Sequence, residues 1–205
     1  MKHVILYGGG MDSALTTHLL SRQAYSLFHV NYGQKTYPTE ADALMCVGIY
    51  YNLPCITFRV PNFPKMPWRG KTAKDFEVAG RNLFLVSCAA SYYGNLNKDD
   101  YTFWLGGSAD SLYYDASGKF IKSLNATLAG YKRFRVRCWQ IETDQTAYSE
   151  HALAQTVIPP AIKPHISYCY AKNIAGKLCG QCPKCTWRKK IFNRIAKDVK
   201  VGYNR

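Results

Sequence analysis

A chain of 205 residues is large enough for one substantial hydrophobic core and a small appendage. With 47% hydrophobic and 14% aromatic residues it is too apolar to be disordered, yet no run reaches the ~20 apolar residues of a membrane span, so no membrane partner is expected. The formal net charge of +14 suits polyanionic partners. Met1-Lys2-His3 leads straight into an apolar run and does not read as a signal peptide, so a cytoplasmic location is expected.

In chain order, residues 4–6 (Val-Ile-Leu) are a short apolar run and residues 14–22 are compatible with a helix. Between them lies Tyr7-Gly8-Gly9-Gly10-Met11-Asp12-Ser13. A buried strand turning into a helix through glycines is built to hold phosphate. The backbone can approach an anion closely, the first amides of the helix point at it, and the helix dipole favours its charge. Three glycines alone are also compatible with an empty turn. Asp12-Ser13 tips the reading toward a magnesium-nucleotide, which would need a carboxylate and a hydroxyl there. No lysine follows the glycines, which excludes a Walker loop, and the register Gly8, Gly10, Ser13 lacks one glycine of a dinucleotide fingerprint.

Residues 25–31 read as a second strand followed by a turn at Tyr32-Gly33-Gln34. Residues 40–52 carry Leu44, Val47 and Tyr51 at helical spacing, Pro54 stops them, and residues 55–60 return as a strand. The proline-rich stretch 61–79 reads as a long loop. Residues 82–93 are apolar on nearly all sides and predict a buried helix, followed by a strand at 101–105 that ends in Gly106-Gly107. Helix is predicted at 117–130 and 146–155, and extended chain at 134–141. Alternating strands and helices predict right-handed βαβ units and a mostly parallel sheet. Ligands in such a sheet sit outside the carboxyl ends of the strands, which lines up residues 7–13, 31–34 and 106–110.

The cysteines fall into two groups. In a reducing compartment they read as metal ligands or apolar residues rather than disulfides. Cys46, Cys55, Cys88 and Cys138 are scattered singly and read as inert core residues with no evident activating base. Cys169, Cys179, Cys182 and Cys185 follow C-x9-C-x2-C-x2-C, with Gly180 and Pro183 bending the chain so that the sulfurs can converge. Four thiolates make a closed structural zinc site with no open position for catalysis. An iron–sulfur cluster is the main competitor, but the ferredoxin pattern wants a further Cys-Pro, where this chain has Thr186-Trp187-Arg188.

The glycine loop resembles the Ser-Gly-Gly-x-Asp-Ser loop of the PP-loop ATP pyrophosphatases, with Gly8 where that loop has serine. The order of this loop, Tyr32-Gly33-Gln34, Gly80-Arg81-Asn82 and the four-cysteine cluster is similar to the 7-cyano-7-deazaguanine synthases over most of the chain. The resemblance implies a Rossmann-like α/β domain of the adenine nucleotide alpha hydrolase type at residues 1–160. A basic C-terminal segment with the zinc site would follow at 161–205. It also implies a ligase that adenylates the carboxylate of 7-carboxy-7-deazaguanine with ATP and magnesium, forms the amide with ammonia, and dehydrates it to the nitrile with a second ATP. A homodimer is implied as well. The nucleotide would be held by Tyr7, Gly8, Gly9, Gly10, Met11, Asp12, Ser13, Ala14, Leu15, Thr16 and Thr17, with Tyr32, Gly33, Gln34, Arg81 and Asn82. Asp12, Ser13, Arg81 and Asp110 would serve catalysis, Arg81 as an anion clamp and Asp110 by gripping the deazaguanine. Asn82 taken alone reads as an ordinary helix N-cap. The family's stretch after Asp110 is replaced here by Tyr113-Tyr114-Asp115, with no arginine behind it, and Gln145 stands where the family has a lysine in the later loop.

The charge is uneven. Residues 163–205 hold eleven lysines and arginines against Asp198 as the only acid, and residues 119–137 hold six with no acid. Such blocks suit a nucleic acid, an ATP approach field, or compensation of a zinc site of charge −2. Other readings therefore stand beside the ligase: the same pathway stopping at the amide, a tRNA-thiolating PP-loop enzyme with a catalytic cysteine, and a degenerate nucleotide- or nucleic-acid-binding module.

Overall fold

A computed structural model describes residues 1–61, 80–111, 113–166, 182, 185–186, 189–191 and 193–194. Its strands β1 (Lys2–Leu6), β2 (Ala24–Asn31), β3 (Cys55–Arg59), β4 (Tyr101–Trp104) and β5 (Phe134–Arg137) form one sheet in the order β3-β2-β1-β4-β5. Every pairing in it is parallel. The predicted α/β class with a parallel sheet is therefore observed.

The alternation along β1 explains the layering. Val4 and Leu6 lie in one core cluster with Val86, Ala89 and Tyr93 of α3 (Arg81–Leu96) and Phe120, Leu124 and Leu128 of α4 (Gly118–Leu128). Ile5 and Tyr7 lie in the other, with Leu15 of α1 (Met11–Leu20), Leu44 and Val47 of α2 (Tyr37–Tyr51) and Ala154 of α6 (Ala147–Val157). Successive strand residues point to opposite faces, so one five-residue strand serves both cores. The chain runs outward through β1, β2 and β3, then returns to the far side of β1 with β4. The point where the order reverses, between β1 and β4, is where an open parallel sheet leaves a crevice.

Three sequence expectations change. The stretch 82–93 is not buried all round: Val86, Cys88, Ala89 and Tyr93 of α3 face the core, whereas Leu83, Ser87 and Ser91 are exposed. A helix laid on one face of a sheet has only one side to bury. The extended stretch at 134–141 stops at Arg137, and residues 139–142 form a short helix, α5 (Trp139–Glu142). The Arg137 guanidinium closes that turn by donating to both carboxylate oxygens of Glu142, at 2.8 and 2.5 Å. Finally, α1 begins at Met11, which places Asp12 and Ser13 in its first turn.

The α1/α2/α6 core continues past residue 160 through Ile162 and Ile166. Further on, the Arg194 guanidinium lies 4.3 Å from the Tyr148 ring centroid. The loop predicted at 61–79 lies, apart from Pro61, outside the described residues. No described helix is long and apolar enough to cross a membrane.

Candidate active site

The glycine loop is shaped by close packing. Gly9 adopts φ +71°, and a Cβ there would meet the Glu40 Cα at 3.0 Å, so the loop rests against the first turns of α2. A Cβ at Gly106, just after β4, would lie 2.8 Å from the Asp12 carbonyl carbon and the Ser13 nitrogen. Both positions therefore require glycine. Gly8 differs: a Cβ there would meet nothing within 4 Å. Its amide donates to Ser13 Oγ at 3.3 Å, and Ser13 Oγ donates to the Gly10 carbonyl at 3.1 Å, which ties the loop across its mouth.

A cleft opens above this loop at the carboxyl ends of β1, β2 and β4. Tyr7, Gly8, Gly10, Asp12, Ser13, Tyr32, Gln34, Arg81 and Asn82 line it together with His29, Glu40 and Gly106. The fold thus gathers the N-terminal loop, the Tyr32-Gly33-Gln34 turn and the start of α3. The other residues of the expected nucleotide run lie elsewhere. Met11, Ala14 and Leu15 belong to the core, and Thr16 and Thr17 are fully buried. Their hydroxyls donate to the carbonyls of Asp12 and Ser13, at 2.8 and 2.7 Å, so they brace the helix and do not line the cleft. Gly33, at φ +80°, forms the turn by donating its amide to Asn31 Oδ1 at 3.0 Å.

Asn82 is not the cap of α3. Gly80 holds that position, and Asp115 does the capping from 33 residues away. Its carboxylate accepts the Asn82 amide at 3.0 Å, while Asn82 Nδ2 donates to the Asp115 carbonyl at 2.7 Å. The start of the helix that carries Arg81 is fixed by this exchange. Asp110 is exposed and is not among the residues lining the cleft. Its Oδ1 accepts the Ala147 amide at 2.8 Å at the start of α6.

Several residues that sequence reasoning left aside support the site. Gln140 Nε2 donates to the Asp12 carbonyl at 3.0 Å and to Glu150 Oε1 at 3.2 Å. Burial pushes the Glu150 carboxyl well above the usual glutamate range, and the Asp12 charge adds to the shift. Burial also pushes the Cys138 thiol up to about 12. His29 and Glu40 enter through β2 and α2, with Gln34 between them. Cys46, expected to lack a base, has Sγ 3.3 Å from His165 Nδ1, although neither residue lines the cleft.

The cleft therefore combines the glycine loop and the N-terminus of α1 with an arginine from α3 and a carboxylate, Asp12, from the first turn of α1. That arrangement suits a phosphate ester with a cation. Residues 55–196 match the family described as queuosine biosynthesis protein QueC. The chain belongs to this family. Among similar proteins, 7-cyano-7-deazaguanine synthase of Chlorobaculum tepidum is 25% identical over 222 residues, 99% of this chain and 96% of the relative. 7-Cyano-7-deazaguanine synthase 1 of Colwellia psychrerythraea is 22% identical over 214 residues, 93% of each chain. The synthase of Chlorobium luteolum is 42% identical over a shorter stretch of 55 residues.

Of the four cysteines expected to hold zinc, Cys169 and Cys179 lie outside the described residues. Cys185 is buried, and the Cys182 carbonyl accepts the Thr186 amide at 2.9 Å, one helical turn on. Among the described residues no three His, Cys, Asp or Glu side chains group as a metal site.

Proposed function

We propose that this chain is an ATP-dependent ligase that adenylates the carboxylate of 7-carboxy-7-deazaguanine, converts it with ammonia to the amide, and dehydrates the amide to the nitrile. The observation that carries the reading is the cleft at the sheet's reversal point, where Gly8, Gly10, Asp12, Ser13 and Arg81 converge. The relatives' names supply the substrate class.

In the adenylation step a carboxylate oxygen attacks the α-phosphorus of ATP and pyrophosphate leaves. The barrier is mainly charge build-up and alignment, so fixed donors lower it without a nucleophilic side chain. The loop amides and the Arg81 fork hold the phosphates, and the Asn82–Asp115 exchange keeps Arg81 on a fixed helix start. Asp12 and Ser13 offer the oxygen donors that magnesium takes, and the ion would neutralise charge on the leaving pyrophosphate. Ammonia then displaces AMP from the mixed anhydride. The second ATP turns the amide oxygen into a leaving group, and loss of the nitrogen's protons gives the nitrile.

Cys169, Cys179, Cys182 and Cys185 together would hold one structural zinc, a closed thiolate set outside the reaction. A thiolating reading needs a reactive thiol in the cleft. Among the described cysteines, burial pushes Cys55, Cys88 and Cys138 upward, and Cys46 does not line the cleft. A homodimer in the cytoplasm remains part of the proposal, with Met45, Ile49 and Tyr50 of α2 as exposed apolar surface for self-association. The test is Asp12→Ala: AMP release should vanish while the circular dichroism spectrum stays unchanged. Undiminished AMP release would remove Asp12 and its loop from the reaction.

A further inference from the structure

His29 is 3% exposed and Glu40 is 16% exposed, and both line the cleft that holds Asp12 and Arg81. The hydrogen bonds around them fix where the protons sit. His29 Nδ1 lies 2.8 Å from the Tyr7 carbonyl, which can only accept, so Nδ1 carries a hydrogen. Gln34 Oε1 accepts the Tyr32 amide at 2.9 Å, which orients its side-chain amide. Its two Nε2 hydrogens go to the Val30 carbonyl at 3.0 Å and Glu40 Oε2 at 2.9 Å. The third contact of Gln34 Nε2, to His29 Nε2, is the longest of the three at 3.4 Å. In the neutral ring Nε2 therefore presents a lone pair 3.7 Å from the Glu40 carboxylate. The Tyr37 ring, stacked at 5.8 Å, holds the imidazole in that orientation.

Two acceptors side by side in a cleft call for a small cation that donates hydrogens. Magnesium favours an all-oxygen shell, which Asp12 fits better than an imidazole does. We propose that Glu40 and His29 bind the ammonium ion and remove its proton, generating the ammonia that attacks the activated carboxylate. This assignment rests on the ligase reading above. In the step, one ammonium proton moves to His29 Nε2, and Glu40 stabilises the imidazolium that forms. The nitrogen lone pair forms the C–N bond at the acyl carbon, and the bond from that carbon to the AMP oxygen breaks. The second proton leaves the nitrogen for the AMP phosphate as the amide forms. Tyr7 at the end of β1, Asp12 of α1, Tyr32 after β2, Arg81 of α3 and Tyr37 of α2 are the other ionisable groups around the pair.

The test uses Glu40→Gln, which keeps an acceptor for Gln34 Nε2, and His29→Asn, which keeps a donor for the Tyr7 carbonyl. Acid-dependent exchange of pyrophosphate with ATP reads adenylation alone. Both variants should retain this exchange, with KM for ammonium raised roughly tenfold or more at neutral pH. The defect should shrink in alkaline buffer, where free ammonia is supplied, and should be absent with hydroxylamine, which is already neutral. An unchanged KM for ammonium, or loss of exchange in parallel with amidation, overturns the assignment. Absence of exchange in the unaltered protein removes the ligase reading and this assignment with it.

Discussion

Gln140 joins Asp12 to Glu150 through a single side-chain nitrogen, 3.0 Å from the Asp12 carbonyl and 3.2 Å from Glu150 Oε1. The first turn of α1, which presents Asp12 to the cleft, is thus braced from the C-terminal half of the chain. Glu150 is almost completely buried at the end of this brace.

The pH dependence follows from the direction of the Glu150 shift. Its carboxyl stays protonated in the folded chain at pH values where an unfolded glutamate, near 4.5, has ionised. The folded state then binds more protons than the unfolded state, so stability falls as pH rises above about 4.5. Glu150→Gln keeps the shape and the neutrality and removes that penalty. Urea midpoints measured from about pH 4.5 upward should be higher for the variant and flatter with pH. A variant that loses stability in parallel with the parent as pH rises would contradict the assignment.

Gly8 is a loop position with room for a side chain, whereas Gly9 and Gly106 have none. Gly8→Ser should fold normally and lower KM for ATP severalfold, since one neutral hydrogen bond contributes about 0.5–1.5 kcal/mol. Gly9→Ala should cost about 1–2 kcal/mol through its positive φ alone. Thermal melts and ATP titrations of the two variants separate these outcomes. Equal losses of stability would show that the loop geometry is misread.

Asp115 caps α3 from a distant loop, and loss of such a cap costs about 0.5–2 kcal/mol. Asp115→Ala should lower stability by that amount and weaken substrate binding through a loosened Arg81. An unchanged melting temperature would show that the contact contributes nothing.

Cysteine reactivity should follow burial. Cys138, with its thiol pushed up to about 12, should resist alkylation in the native protein, whereas the half-buried Cys46 beside His165 should react. Peptide mapping after brief iodoacetamide treatment reads both. For the four C-terminal cysteines, elemental analysis should find about one zinc per chain, and chelation should lower the melting temperature. Iron in a coloured protein would contradict the zinc assignment.

Much of this architecture was legible in the sequence because its signals are local. Val4-Ile5-Leu6 followed by glycines marks a strand and a phosphate loop within ten residues, and the alternation of strands and helices follows from periodicity. The bracing contacts are not local. Asp115 reaches Asn82, and Gln140 reaches Asp12, across the fold, and neither pair carries a spacing that would reveal it. Leu83 looked like core because composition cannot say which side of an apolar helix meets the sheet. His29 was hidden as one more residue of an apolar strand, and Glu40 as the start of an amphipathic helix.

The most direct measurement of the central claim is incubation of the protein with ATP, magnesium, ammonium and 7-carboxy-7-deazaguanine, read by mass spectrometry. The expected result is AMP and pyrophosphate released only when the acid is present, with the acid converted to its amide or nitrile. Unaltered acid, or ATP breakdown that ignores it, would contradict the ligase.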